Sequence, residues 1–272
     1  LQRLGVSVAE VKALPQRQLR RAAGRLQLKS ASTTPTLAYG LTHGVDLLPS
    51  HPLDAAREGT LARVPLIIGT NSHEASMFAW TKPPMLPTTT ASIDAFLDRV
   101  APGEKERVLA AYPDYPRRRA LVAFGSDVMF GGPAWAFADA YSTQAPTHMY
   151  RFDHVGWSLR VLGLGATHGS EIVHIQHSYA SFIGRKLHPL GRRLQPPVGR
   201  RMQRAWLDFA GKGWDTGEIH WSSGHHWPIY DTENRFTRII QTAHDTVVPD
   251  PDAERRKVWA GPYSAAAYRL SA

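Results

Sequence analysis

One short segment constrains the fold of this chain more than any other: Val64-Pro-Leu-Ile-Ile-Gly69-Thr-Asn-Ser-His-Glu74. A brief, unbroken apolar run bounded by a glycine reads as a strand buried on both faces, which requires helices on either side of its sheet. The strand is expected over residues 64–69, with a loop leaving the sheet edge and reaching a carboxylate five residues later. Other segments fit the same scheme. Residues 146–153 alternate as a second strand, and 227–231 and 236–240 read as paired edge strands or a turn plus strand. Helical spacing marks residues 16–28, 53–57, 92–100, 104–111 and 198–211. Residues 6–13 open a further helix with Ser7 as its cap, interrupted at Leu14-Pro15. Residues 127–140 read as one helix or two, with Gly131-Gly132-Pro133 at the break and Ser126-Asp127 as a helix-initiating cap. Residues 170–181 read as a helix carrying Ile172, Ile175 and Tyr179. Strands separated by helices indicate an α/β layer fold, a mixed sheet flanked by helices.

A second segment, Leu164-Gly-Ala-Thr-His168-Gly-Ser-Glu171, sets a histidine between glycines on a turn. An acid and a histidine on two loops that follow strands are two parts of a nucleophile, base and acid triad. Composition narrows what the third part can be. The 272 residues contain no cysteine, so disulfides, thiolate metal sites and cysteine nucleophiles are excluded.

The net charge of +9 raises the possibility of a polyanion partner, with Arg17–Arg21, Arg117–Arg119 and Arg185–Arg204 as candidate patches. Only 7 of the 32 basic residues are lysine, and no RNA-binding aromatic signature or zinc-finger spacing accompanies them. Solvated surface is the expectation, and no nucleic-acid partner. No run approaches the ~18 consecutive apolar residues of a membrane span. No basic-then-apolar secretory pattern is visible, and the cysteine-free composition is compatible with the cytoplasm.

The order of these segments resembles the C-terminal half of the type B carboxylesterase and cholinesterase-like family of α/β-hydrolases. Val45-Asp-Leu-Leu-Pro49 with Pro52 and Gly59 is similar to the loop before the family's acid strand, and Val64–Asn71 with Glu74 and Phe78 to its acid motif. Gly165–Glu171 is similar to its histidine motif, and Trp206, Phe209, Gly213 and Trp227-Pro-Ile-Tyr230 to its closing segment. The 94 positions from Glu74 to His168 fit that pattern. The resemblance covers roughly residues 1–245 and implies one domain, with a helical insertion over about 80–145. It implies that Glu74 orients His168, that His168 is the general base toward a serine, and that the substrate is a small carboxylic ester. Glu171 is a candidate supporting carboxylate, and Trp80 a candidate wall of the acyl or alcohol pocket. His73 stands where the family usually has aspartate, which is expected to alter the field around Glu74.

The serine itself is absent. No Gly-x-Ser-x-Gly occurs; Gly5-Val-Ser-Val-Ala9 fails at its last position and lies on an expected helix. No His-Gly-Gly-Gly segment offers an oxyanion hole either. The expectation is therefore a partial enzyme, inactive alone, which works with an N-terminal half or a complementary chain. The alternative is a non-catalytic cholinesterase-like interaction protein, against which the retention of Glu74 and His168 argues. His174 and His177, one turn apart, could with His168 suggest a metal, but no carboxylate completes a ligand spacing, so neither metal nor cofactor is expected.

Overall fold

The computed structural model describes residues 7–11, 13–33, 43–188, 196–213, 219 and 226–260. Leu4–Val6, Arg192, Arg193, Trp214 and His225 lie outside the described residues. The apolar run forms β1, Leu66–Asn71. It passes through Gly69 and ends two residues later. Gly69 faces Tyr150 across the register, and a Cβ there would lie 2.3 Å from the Tyr150 ring. Glycine is thus demanded by close approach within the strand and does not end it.

β2, Thr147–Phe152, runs parallel to β1, pairing Leu66 with Thr147 and Asn71 with Phe152. β3, Phe236–Ile240, is parallel to β2, and β4, Asp245–Pro249, closes the sheet antiparallel to β3. The order β1-β2-β3-β4 makes a mixed four-stranded sheet. β4 carries little apolar periodicity and escapes the sequence reading. Residues 227–231 form no strand; the buried Trp227 instead donates its indole N–H to the Met149 carbonyl at 3.2 Å.

The helices are α1 (Val8–Val11), α2 (Gln16–Thr33), α3 (Pro52–Glu58), α4 (Thr90–Val100), α5 (Lys105–Ala110), α6 (Arg118–Ser126), α7 (Gly132–Tyr141), α8 (Trp157–Val161), α9 (Ile172–Ile175), α10 (Phe182–Leu187), α11 (Pro197–Asp208) and α12 (Ala253–Trp259). The α1 entry is capped as expected, with Ser7 and Glu10 bonded reciprocally, and Thr89 and Ser92 form a capping box on α4. α6, a π-turn over Asp127–Gly131 and α7 follow without interruption.

Ser126-Asp127 therefore sits inside a helical run and does not start one. Ser126 Oγ donates to the Val122 carbonyl at 2.8 Å, the i−4 bond of a helix-interior serine. The run Arg118–Tyr141 has the length and apolarity of a membrane span, but 61% of its most apolar window is buried inside the protein. Its apolarity is that of a core helix. The expected helix over 170–181 is broken too: α9 spans one turn, and His177 has a left-handed φ of 51°.

Two cores flank the sheet. On one face, Phe96, Leu97, Tyr112, Phe124, Trp135 and Trp259 pack with Met149; on the other, Tyr150, Phe152, Val198, Met202, Trp227 and Ile240 pack with Ala166. Helices α4 to α7, between β1 and β2, supply the first core, so this connection is the crossover that parallel strands require and shares its core with the sheet. β1, β2 and β3 end on the same side because they are parallel. Loops at those ends are brought together.

Candidate active site

The loops leaving β1 and β2 meet at the strand C-termini, where α/β sheets commonly build sites. Glu74 opens a short 3-10 turn, Glu74–Ser76, three residues past β1. His168 lies on the loop between α8 and α9. Backbone bonds lace the two segments: the His73 N–H donates to the Ala166 carbonyl at 3.0 Å and the His168 N–H to the Glu74 carbonyl at 3.4 Å. Side chains reinforce them. Asn71 Nδ2 donates to the Thr167 carbonyl at 2.8 Å, and the Met77 N–H to Thr167 Oγ1 at 3.2 Å.

This lacing brings the two side chains into a direct hydrogen bond, His168 Nδ1 to Glu74 Oε2, at 2.7 Å. The other carboxylate oxygen accepts the Asn71 N–H at 2.8 Å. With both oxygens engaged and its side chain only 8% exposed, Glu74 is fixed in place. The His168 side chain is 46% exposed, and among the described residues its Nε2 has no protein partner. The hydrogen bond that His168 Nδ1 donates to the Glu74 carboxylate raises the His168 pKa, with burial pulling the other way. A carboxylate on Nδ1 also selects the tautomer in which Nε2 carries the lone pair.

His168 and Glu74 line a cavity of about 450 Å³ together with Ile68, Met129, Phe130, Phe137 and Glu171. Phe130, carried on the π-turn, tilts over the imidazole with ring centroids 4.6 Å apart, and Phe78 approaches it at 5.7 Å. π-turns often occur at functional sites; here the turn carries Phe130 against the His168 imidazole. A larger cavity, about 640 Å³, lies elsewhere, against Tyr112, Arg119, Arg151, Asp252 and Arg255. It includes neither Glu74 nor His168, and three of its carboxylates, Asp153, Asp250 and Asp252, are held by arginines, as in the pair of Arg151 and Asp252 at 2.9 Å. The smaller cavity is the one that Glu74 and His168 line.

Glu171 occupies the N-cap position of α9, yet its side chain makes no capping bond. Asn71 Nδ2 donates to Glu171 Oε2 instead, so one amide bridges the end of β1 to this second carboxylate. Burial raises the Glu171 pKa. Trp80 ends the turn Phe78–Trp80 and is 54% exposed; it does not line the cavity, whose aromatic wall is Phe130 and Phe137. His73 bonds Ser72 Oγ at 2.9 Å and its ring packs against Gly165. Burial lowers the His73 pKa, and the charges that act on it are Asp153, Arg119, Arg151 and Arg118. Of the histidines weighed with His168, His177 is exposed, while His174 turns into the core toward His154 and His188.

Ser126 is a site residue that sequence reasoning missed. Its hydroxyl accepts the Ala75 N–H at 2.9 Å while donating to Val122, clipping the acid turn to the end of α6. No local pattern announces a contact across 51 positions.

The mixed sheet with an acid and a histidine converging past its parallel strands defines an α/β-hydrolase architecture. The chain belongs to the carboxylesterase family, whose model matches residues 9–259. Among curated relatives it is similar to a para-nitrobenzyl esterase of Bacillus subtilis (strain 168), at 27% identity over 269 residues, covering 94% of this chain and 51% of the relative. It is also similar to a cocaine esterase of Oryctolagus cuniculus, at 27% identity, covering 75% of this chain and 40% of the relative. Among solved structures, a PNB esterase superposes with a TM-score of 0.74 at 24% identity, covering 96% of this chain and 52% of that one. The chain spans about half the length of the curated relatives it matches.

Proposed function

We propose that this chain contributes the acid and the general base of a Ser-His-Glu triad for carboxylic ester hydrolysis, with the serine and the oxyanion donors coming from a segment outside it. The observation that carries this reading is the 2.7 Å bond from Glu74 Oε2 to His168 Nδ1 at the mouth of an apolar-walled cavity. In the proposed cycle, His168 Nε2 takes the proton of the serine hydroxyl as it attacks the ester carbonyl, then returns it to the leaving alcohol. Glu74 stabilises the imidazolium formed between these steps. Water then repeats the sequence on the acyl-enzyme. Phe130, Phe137, Met129 and Ile68 offer apolar contact to the acyl or alcohol group, and Glu171 holds Asn71, and through it the loop of the base. His168 and Glu74 thus act on protons, while the missing donors carry the oxyanion.

The sheet favours a particular place for the complementary segment. Among the described residues, β1 pairs with a strand on one side only, and an unpaired edge of Leu66-Ile-Ile-Gly-Thr-Asn71 is a template for a further strand. A complementary half docked there would place its own strand ends beside Glu74 and His168. The test is co-expression of this chain with the N-terminal half of a para-nitrobenzyl esterase-like protein, assayed on a short p-nitrophenyl ester. The proposal expects turnover in the pair and none above background in either half, with His168→Ala abolishing it. Turnover indifferent to His168→Ala refutes the assignment of the base.

A further inference from the structure

On the β2 side of the molecule, away from the acid turn, three histidines converge that the proposed cycle does not use. His154 lies two residues past β2, His174 on α9, and His188 just after α10. Each is almost wholly buried, at 6%, 0% and 8% exposure, and one ring nitrogen from each lies within 4.8 Å of the others. His174 packs edge-on to both His154 and His188, at centroid distances of 4.9 and 4.5 Å.

Their hydrogen bonding is lopsided. Nδ1 of His154 meets Thr242 Oγ1 at 2.9 Å, and Nδ1 of His174 meets the Tyr179 hydroxyl at 2.9 Å. Nε2 of all three is buried and has no partner among the described residues. A buried polar atom left unsatisfied costs about 1–3 kcal/mol, and a protein seldom tolerates three at one point. An outer partner on Nδ1 with a bare Nε2, as at His154 and His174, is the arrangement seen in metal-ligating histidines, whose second nitrogen is held by a partner that fixes the ring and the tautomer.

We propose that His154, His174 and His188 bind a divalent transition metal, with zinc as the fitting ion, through their Nε2 atoms. Three neutral imidazoles suit zinc, and a fourth position stays open to water or hydroxide. Metal–nitrogen bonds of about 2.0–2.1 Å put tetrahedral ligand nitrogens about 3.3 Å apart, so the rings would close by up to about 1.5 Å from the 4.8 Å limit. The shape of the protein allows the third ligand in: a Cβ on Gly156 would lie 2.6 Å from the His188 ring, so any larger residue there would push it out. The sequence reading, which grouped His174 with His168 and His177, expected no metal; the partners that complete the set lie 20 residues before and 14 after His174 and come together only in the fold.

Such an ion would tie β2's exit to α9 and to the end of α10, and β2's exit and α9 bracket the loop carrying His168. Its role is to brace that loop. The test strips the purified protein with a chelator, adds Zn²⁺, removes the excess and measures bound metal by mass spectrometry. Wild type should retain one zinc per chain, and its thermal midpoint should rise by about 5–10 °C at a hundredfold excess over Kd. Co²⁺ in place of zinc should give the visible absorption of a tetrahedral site. His174→Ala and the gentler His188→Gln should each lose the metal, the midpoint shift and the cobalt band, while His244→Gln, at an exposed histidine, keeps all three. Failure of wild type to hold stoichiometric metal overturns the proposal. So does retention by His188→Gln equal to wild type.

Discussion

Glu74 and Asp127 each meet a cationic or ionisable partner, and their surroundings give them opposite characters. Glu74 bonds His168, whose ring stands half in solvent at a cavity. Asp127 lies 53 positions further on, within the helical run that packs on the sheet. Both of its oxygens receive Arg255 Nη1 at 3.0 Å, and the Tyr112 hydroxyl donates to one of them at 2.8 Å. Trp259 Nε1 in turn donates to that hydroxyl at 2.7 Å. Burial raises the Asp127 pKa to about 7 against the pull of Arg255. One pair reaches a cavity through a half-exposed imidazole; the other is a buried joint between α12 and the helical run. Ser126 ties them together, adjacent to Asp127 in sequence and bonded to the turn of Glu74. A carboxylate near a strand end is not by itself catalytic. What separates the two is whether the partner is titratable near neutral pH and reaches a cavity.

The largest expected effect strikes the open pair. In the reconstituted enzyme, His168→Ala should lower kcat by about 10⁴-fold or more, because a triad works as a unit. Steady-state kinetics on a p-nitrophenyl ester measure it. Glu74→Gln should cost about 10³–10⁴-fold and also move the pH profile. The acidic limb of kcat/KM reports the free base, and Glu74 holds the His168 pKa up; without that carboxylate the limb should shift to lower pH while the plateau falls. A limb that stays in place would show that the titrating group is not His168.

The closed pair should answer in stability and not in the pH limb. Asp127→Asn is expected to destabilise the fold by about 3 kcal/mol, the low end for orphaning a buried charge, because Asp252 still accepts from Arg255. The sign of its pH dependence is fixed by linkage. A carboxyl whose folded pKa of about 7 exceeds its unfolded value binds its proton more tightly in the native state, so its contribution to stability falls as pH rises through that window. Denaturant titrations between pH 4 and 7 should therefore show a flatter pH dependence in Asp127→Asn than in wild type. His168 has the same sign at higher pH: its raised pKa gives stability that is fully present below the unfolded imidazole value and lost as pH climbs through the folded one.

How far the sequence foretold these two regions differs for physical reasons. The strand expected over 64–69 and found at 66–71, and the meeting of Glu74 with His168, were legible because each segment is marked locally, by an apolar run, a glycine and a turn. The boundaries followed local signals too, so Gly69 read as a stop when it is a gap left for the Tyr150 ring. Nothing local marks Ser126, whose role is a bond to a backbone amide far off in sequence, and its pairing with Asp127 imitates a cap. α6 was hidden because Arg117–Arg119 reads as charged surface and the π-turn blurs the helical period just where Phe130 is delivered to the base. Glu171 was half legible: its place at a helix start was correct, but the partner that removes it from capping duty, Asn71, is 100 positions away.

The smallest effects test the wall of the cavity. Ser126→Ala leaves the buried Ala75 N–H without its acceptor and should cost about 1–3 kcal/mol of stability, with a lesser loss of kcat as the acid turn loosens. Trp80 and Phe130 then separate an expectation drawn from motif proximity from one drawn from contact. Trp80 is close to Glu74 in sequence but stands exposed outside the cavity, whereas Phe130 is remote in sequence and covers the imidazole. Trp80→Ala should leave KM for p-nitrophenyl esters of different acyl length within about twofold, inside the scatter of ordinary surface substitutions. Phe130→Ala should raise KM by about tenfold, the scale of losing one apolar contact in a pocket. If the two variants exchange these outcomes, the ester does not lie over His168 but against the outer turn, and the wall has been assigned to the wrong face.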